Sequence, residues 1–147
     1  MDVVDARTRS GMMSGIRGTN TRPEVTVRSG LHRAGFRFRL HVRSLPGSPD
    51  IVLPRHNAVI FVNGCFWHGH DCHLFKLPKT RPEFWRRKLD GNRARDLIKH
   101  KQCRELGWRV AVVWECSLKG SQRMQQDLLI RELVAWIQSQ SKECVFP

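Results

Sequence analysis

Two short apolar runs, DIVL at 50–53 and AVIFV at 58–62, stand on either side of Arg55-His56-Asn57. Each is too short for a globular helix, and both are rich in β-branched residues, so they read as buried strands around a turn. A third run, WRVAVVW at 108–114, has an apolar middle fit for the interior of a sheet. Strands apolar on both faces need cover, and the segments between and around them supply it. Thr21-Arg22-Pro23-Glu24 combines a capping threonine, a proline in the first turn and a glutamate placed to close a capping box. Val27, Leu31 and Ala34 then share one helical face, and Gly35 ends it. FRFRLH at 36–41 alternates as a half-buried strand does, and LPGSP at 45–49 is a turn. A second box, Thr80-Arg81-Pro82-Glu83, opens a long basic helix running to Gly107. Met124, Leu128, Leu129, Leu133, Trp136 and Ile137 give a terminal amphipathic helix. The fold class expected is α/β (α+β): a mixed-sheet core flanked by helices. Residues 21–147 form one domain, and the Gly-, Ser- and Arg-rich residues 1–20 form a flexible arm with room for a short helix from Ser10.

Charge narrows the partner. Lys and Arg number 26 against 13 Asp and Glu, a net charge of +13. Such an excess favours a polyanion, because each neutralised phosphate releases condensed counterions. An inert basic surface or anionic lipid are the other readings, and charge does not separate DNA from RNA. No apolar run approaches the roughly 18 residues of a membrane span, and the N-terminus lacks a secretory apolar stretch, so a cytoplasmic protein is expected. Five cysteines, an odd number, argue against a disulfide framework. Cys103 and Cys144 read as ordinary thiols.

The segment 65–73, CFWHGHDCH, holds two thiols and three imidazoles in an otherwise irregular stretch. These are soft ligands enough for most of a tetrahedral zinc site, with Cys116 past the 108–114 strand as a fourth. A polar loop with unrelated histidines is the alternative. Asp50, opening a buried strand beside a basic surface, stands where a nuclease would hold Mg²⁺ against a phosphate. From position alone, an ordinary strand-start aspartate is the simpler reading. The acidic-x-Lys triplet of many nucleases is absent: AVIFVNG offers only main-chain oxygens and the Asn63 amide. His68 could replace that lysine as the base, oriented by Asp96, although Asp96 could equally sit in a surface ion pair. Phe66, Trp67 and Trp85, near arginines, suit stacking on bases or wedging between them, but core packing is the commoner use of aromatics. Trp108, Trp114 and Trp136 fit core positions.

LPGSPD (45–50), VIFVNGCFWHGHDC (59–72), the FK-P-TR-EFW pattern (75–85), ELGWRV (105–110) and VWEC (113–116) together resemble the very-short-patch repair endonucleases. The resemblance runs in order from about residue 5 to 140. It implies a restriction-endonuclease-like core and a nick 5′ of the T in T:G mispairs left by deamination of 5-methylcytosine. It further implies Mg²⁺ on Asp50 and the main-chain oxygen of Val62, where threonine is usual. His68 becomes the general base, Asp96 its orienting partner, and Glu24 a contact to water held by the metal. Cys65, His70, Cys72 and Cys116 match the structural zinc ligands. Phe66, Trp67 and Trp85 match a wedge entering from the major groove, and Met13 on the arm one from the minor-groove side. A monomer is implied, linked in function to a cytosine-5 DNA methyltransferase and mismatch-repair proteins. Two departures stand out: Asn63 replaces a histidine that would contact water on the metal, and Gly69 and Asp71 interrupt a histidine run. A broader-specificity mismatch nickase, a restriction-type endonuclease or a non-cutting zinc-containing DNA-binding module are the competing readings.

Overall fold

The computed structural model describes residues 20–147; Met13 and nearly all of the expected arm lie outside the described residues. Helix α1 spans Arg22–Arg33, with the Thr21 hydroxyl accepting from the Glu24 N–H at 3.4 Å. The other half of the box differs from expectation: the Glu24 carboxylate accepts from the N–H of Asn20. Gly35, at φ +97°, reverses the chain so that the Phe36 N–H reaches the Leu31 carbonyl, which closes the helix end.

The strand expected over 36–41 shrinks to β1, Arg39–Leu40, and the turn at His41, whose φ is +49°, ends it. β2 (Ile51–Leu53), a single 3₁₀ turn (Pro54–His56) and β3 (Ala58–Asn63) form the expected hairpin. Helix α2 (Pro82–Glu105) follows, then β4 (Arg109–Trp114), helix α3 (Gln126–Ile137) and β5 (Glu143–Phe146). The sheet runs β1-β2-β3-β4-β5, its first two pairings antiparallel and its last two parallel. Two readings need correction. Thr80 does not cap α2: Arg81 takes that position in a left-handed conformation, with no side-chain hydrogen bond at the cap. Residues 143–146, where no strand is expected above, are an edge strand whose Phe146 is buried.

Alternation along β3 and β4 divides the interior. Ala58, Ile60, Val62, Ala111 and Val113 face α1 and α3, packing on Val27, Leu31, Leu129, Leu133 and Trp136. Val59, Phe61, Val110 and Val112 face the other way, onto Cys103 of α2 and the partly buried Trp108 and Trp114. Arg109 ties the layers at one end of the sheet, donating to the carbonyls of His56, Trp136, Ile137 and Ser141. Helix α2 buries only Leu89 and Cys103, leaving most of its basic surface in solvent. Among the described residues no helix is long and apolar enough to cross a membrane.

Candidate active site

The parallel pairing of β3 with β4 builds the first cluster. Asn63 lies opposite Trp114, so Cys65 and Cys116, each two residues farther on, leave the sheet side by side. The Cys116 N–H donates to Cys65 Sγ at 3.3 Å. A tight loop, closed by the His70 N–H on the Cys65 carbonyl at 2.9 Å, returns the His70 ring to the same place. Gly69 suits that loop: its φ is +59°, and a Cβ there would lie 3.3 Å from Arg93 Nε. His70 Nδ1 lies 3.6 Å from both Cys65 Sγ and Cys116 Sγ, and with Cys72 Sγ the four donor atoms fall within 4.8 Å of one another. A zinc ion with Zn–S of about 2.3 Å and Zn–N of about 2.0–2.1 Å sets sulfur and nitrogen roughly 3.6 Å apart in a tetrahedron, so this donor set fits. The His70 ring stacks on Trp114 at 4.0 Å, nearly parallel. Burial pushes the Cys65 and Cys116 thiols up and the imidazole of His70 down. A cation entering here would therefore displace thiol protons and find the imidazole already neutral.

The second cluster is acidic. Asp50 Oδ2 accepts from the Val62 N–H at 2.7 Å. In an extended strand the carbonyl of Val62 points the same way as its N–H, and the register places Pro49, which has no N–H, across from it. Two oxygen donors thus emerge together where β2 gives out. Glu24, only 1% exposed, reaches the site from α1. Both its oxygens lie 2.9 Å from His41 Nε2, and Oε2 also accepts from Arg28 at 2.8 Å. The donor atoms of Glu24, His41 and Asp50 lie within 4.8 Å of one another. Burial, and then the charge of Glu24, push the Asp50 carboxyl up to about 7 against the pull of the Val62 N–H. Closely set carboxylates with a main-chain oxygen suit a hard divalent cation such as Mg²⁺.

His68 bridges the clusters. It sits inside the Cys/His loop, and its Nδ1 lies 2.5 Å from Asp96 Oδ2 on α2. Asn92, one turn earlier, donates to the Trp67 carbonyl at 2.8 Å and holds the loop against the helix. His68, Asp96, Asp50, Val62 and Asn63 line one cavity of about 580 Å³, with the side chains of Arg43 and Lys99 also on its wall. Asn63 is 5% exposed there. Phe66 and Trp67 line the same space and join Trp85 and Phe75 in a half-buried aromatic cluster, with ring centroids 5.0–6.1 Å apart.

A family model described as DNA mismatch endonuclease Vsr matches residues 1–74. The type II nicking enzyme V.XorIIP of Xanthomonas oryzae pv. oryzae is 52% identical over 117 residues, covering 80% of this chain and 86% of that protein. The DNA mismatch endonuclease Vsr of Escherichia coli is 45% identical over 136 residues, 92% of this chain and 87% of the relative. The chain belongs to the Vsr family. A further relative, the type II nicking enzyme V.NmeAIP of Neisseria meningitidis, is 39% identical over 134 residues, covering 90% of this chain and 96% of that protein.

Against the Vsr resemblance, the structure draws Glu24, Asp50, Val62, Asn63, His68 and Asp96 into one neighbourhood, and Cys65, His70, Cys72 and Cys116 into another. Three participants were not anticipated. His41, in the FRFRLH run, falls in phase with Arg37 and Arg39, and only the turn at its own backbone brings its ring inward. Glu115 accepts from the Cys65 N–H at 3.2 Å, joining the two strand ends that carry the thiols. Trp114 is packed against the core as expected, but its ring also supports His70. The adjacency of Glu115 and Trp114 to Cys116 was the available signal for both.

Proposed function

We propose that this Vsr-family chain is a strand-specific DNA nickase cutting 5′ of the T in T:G mispairs, the first step of very-short-patch repair after 5-methylcytosine deamination. The observation that carries the reading is the convergence of the His68–Asp96 pair and the Asp50–Val62 oxygens on one cavity beside Phe66, Trp67 and Trp85. The names and coverage of the relatives point the same way. On this account residues 21–147 form a restriction-endonuclease-like nuclease domain, and residues 1–20 an arm that brings Met13 to the minor groove. The protein acts as a cytoplasmic monomer, alongside a cytosine-5 methyltransferase and mismatch-repair proteins.

Asp50 and the Val62 carbonyl hold Mg²⁺, with Glu24 and Asn63 lining its surroundings. The ion, when bound, polarises the scissile phosphate and offsets the charge that builds on it. Asp96 fixes His68 with Nδ1 engaged, so Nε2 is the atom that takes the proton from attacking water. The carboxylate then stabilises the imidazolium. Cys65, His70, Cys72 and Cys116 hold a structural zinc, whose closed four-ligand set leaves it no place in the chemistry. The aromatic rings wedge beside the mispair, where weak stacking lowers the cost of opening the step.

Single-turnover nicking on end-labelled duplexes tests this. A T:G duplex should be cut on the T strand in Mg²⁺ and left whole in EDTA, with other mispairs and matched DNA cut far more slowly. Equal cutting of matched DNA would favour a restriction-type nuclease, and tight binding without a nick a zinc-containing binding module.

A further inference from the structure

His41 carries more of the acidic cluster than its place just past a short edge strand suggests. It is a non-glycine residue with φ of +49°, in the left-handed region that side chains avoid unless surroundings impose it. The turn has two effects. The backbone N–H of His41 donates to the Asp50 carbonyl at 3.1 Å, pinning the main chain that presents Asp50. The ring lies over the Glu24 carboxylate, with Nε2 2.9 Å from each oxygen. Arg28 and the Asn20 N–H both meet Oε2 of Glu24, whereas His41 meets both carboxylate oxygens. His41 holds one carboxylate through its ring and the other residue through its backbone.

We propose that His41 is a positioning residue of the divalent-cation site, fixing the Glu24 carboxylate and the Asp50 backbone so that the oxygen donors are set before the ion arrives. The proposal rests on the cation site assigned to Asp50 above. A structural role alone would be felt in folding; a positioning role is felt in the affinity of the ion, because partners of a metal's surroundings tune binding without touching the metal.

The test is calorimetric titration of the zinc-loaded full-length protein with Mn²⁺, without DNA. His41→Asn is the informative variant, since asparagine tolerates the left-handed backbone but its short side chain does not reach Glu24 as the imidazole does. It should weaken Mn²⁺ binding about tenfold, the lower end of the effect of such partners, while zinc content and the thermal midpoint stay near the parent's. His41→Ala should weaken binding at least as much. Glu24→Gln should weaken it too, and adding His41→Asn should cost less than about a further twofold, because the pair acts as a unit. Parent-like Mn²⁺ affinity in His41→Asn and His41→Ala would overturn the proposal, as would losses that multiply in the double variant. A parent that bound no Mn²⁺, or bound it equally well after Asp50→Ala, would bring down the cation site itself and this proposal with it.

Discussion

Asp50 is pulled in opposing directions by its neighbours: burial and the Glu24 charge favour its protonated form, and the Val62 N–H favours the anion. The first two prevail, so in the metal-free protein the carboxyl titrates near 7 instead of near 4. A raised carboxyl pKa means that the folded state binds more protons than the unfolded chain between those values. Its contribution to stability is therefore present below about pH 4 and lost as the pH rises through about 7. Asp50→Asn keeps a group able to accept from Val62 and removes the charge. In EDTA at pH 8 the variant should be more stable than the parent by on the order of 1 kcal/mol, as for other sites where function strains the fold, and it should not nick. Denaturant melts at pH 5 and pH 8 check this; a variant less stable at both would assign Asp50 an ordinary structural role. His68 and Asp96 differ in kind, being joined at 2.5 Å and each about a quarter exposed. His68→Ala should slow single-turnover nicking by about 10² or more with mismatch binding retained, the usual scale of general-base catalysis. Asp96→Asn should fall between, and the double variant should be little worse than His68→Ala, since groups acting as a unit are not additive. Near-parent rates in His68→Ala would show that another group takes the proton.

At the scale of elements, the four Cys/His donors come from one loop and from the turn that follows its neighbouring strand, so a metal held there would clamp the ends of β3 and β4 together. Purified parent protein should contain about one zinc per chain, as four protein ligands imply. Cys72→Ser, at a half-buried ligand on the loop's far side, should lose zinc and nicking together, because His68 lies between Cys65 and His70 and depends on the loop's path. The hydrophobic layers on either side of the sheet should keep the helical far-ultraviolet signal. Well-folded parent protein free of zinc, from zinc-replete medium, would defeat the assignment. The same elements show how far a sequence can be read. The buried runs of β2, β3 and β4 were legible because their burial is continuous, and α1 because its cap, apolar face and terminal glycine agree. β5 was not, since ECVF gains strand character only from pairing with Val110–Val113. Thr80 carries the right residue types for a cap, but the left-handed Arg81 shifts the helix start past it. The soft-ligand cluster was visible as composition, with Cys116 a candidate fourth donor; the parallel register that sets it beside Cys65 is encoded by no local pattern. His41 was hidden for a related reason, as alternation assigns it to the solvent face and only a backbone reversal overrules that.

For the whole molecule the question is which features attract DNA and which discriminate. A net charge of +13 and the exposed basic face of α2 supply attraction to any duplex, and that attraction weakens with salt according to the phosphates neutralised. The aromatic cluster is half-buried, and its Phe66 and Trp67 line the cavity shared by Asp50 and His68, so its rings would act after encounter, at the base step. Opening a step beside a mispair costs less than opening a stacked, paired one, so a wedge converts that difference into preference. Trp67→Ala should therefore shrink the ratio of T:G to matched-duplex affinity several-fold, within the roughly 1–3 kcal/mol that stacking a base on an aromatic ring contributes. The slope of log affinity against log salt should stay unchanged, because no phosphate contact is removed. Equilibrium binding of both duplexes across a salt series measures the two quantities in one experiment. Equal loss on matched and mismatched DNA would place Trp67 in packing the loop against Trp85 and α2. A flatter salt slope would instead mean that the loop itself had moved and taken cationic contacts with it, leaving discrimination to be sought elsewhere on the cavity wall.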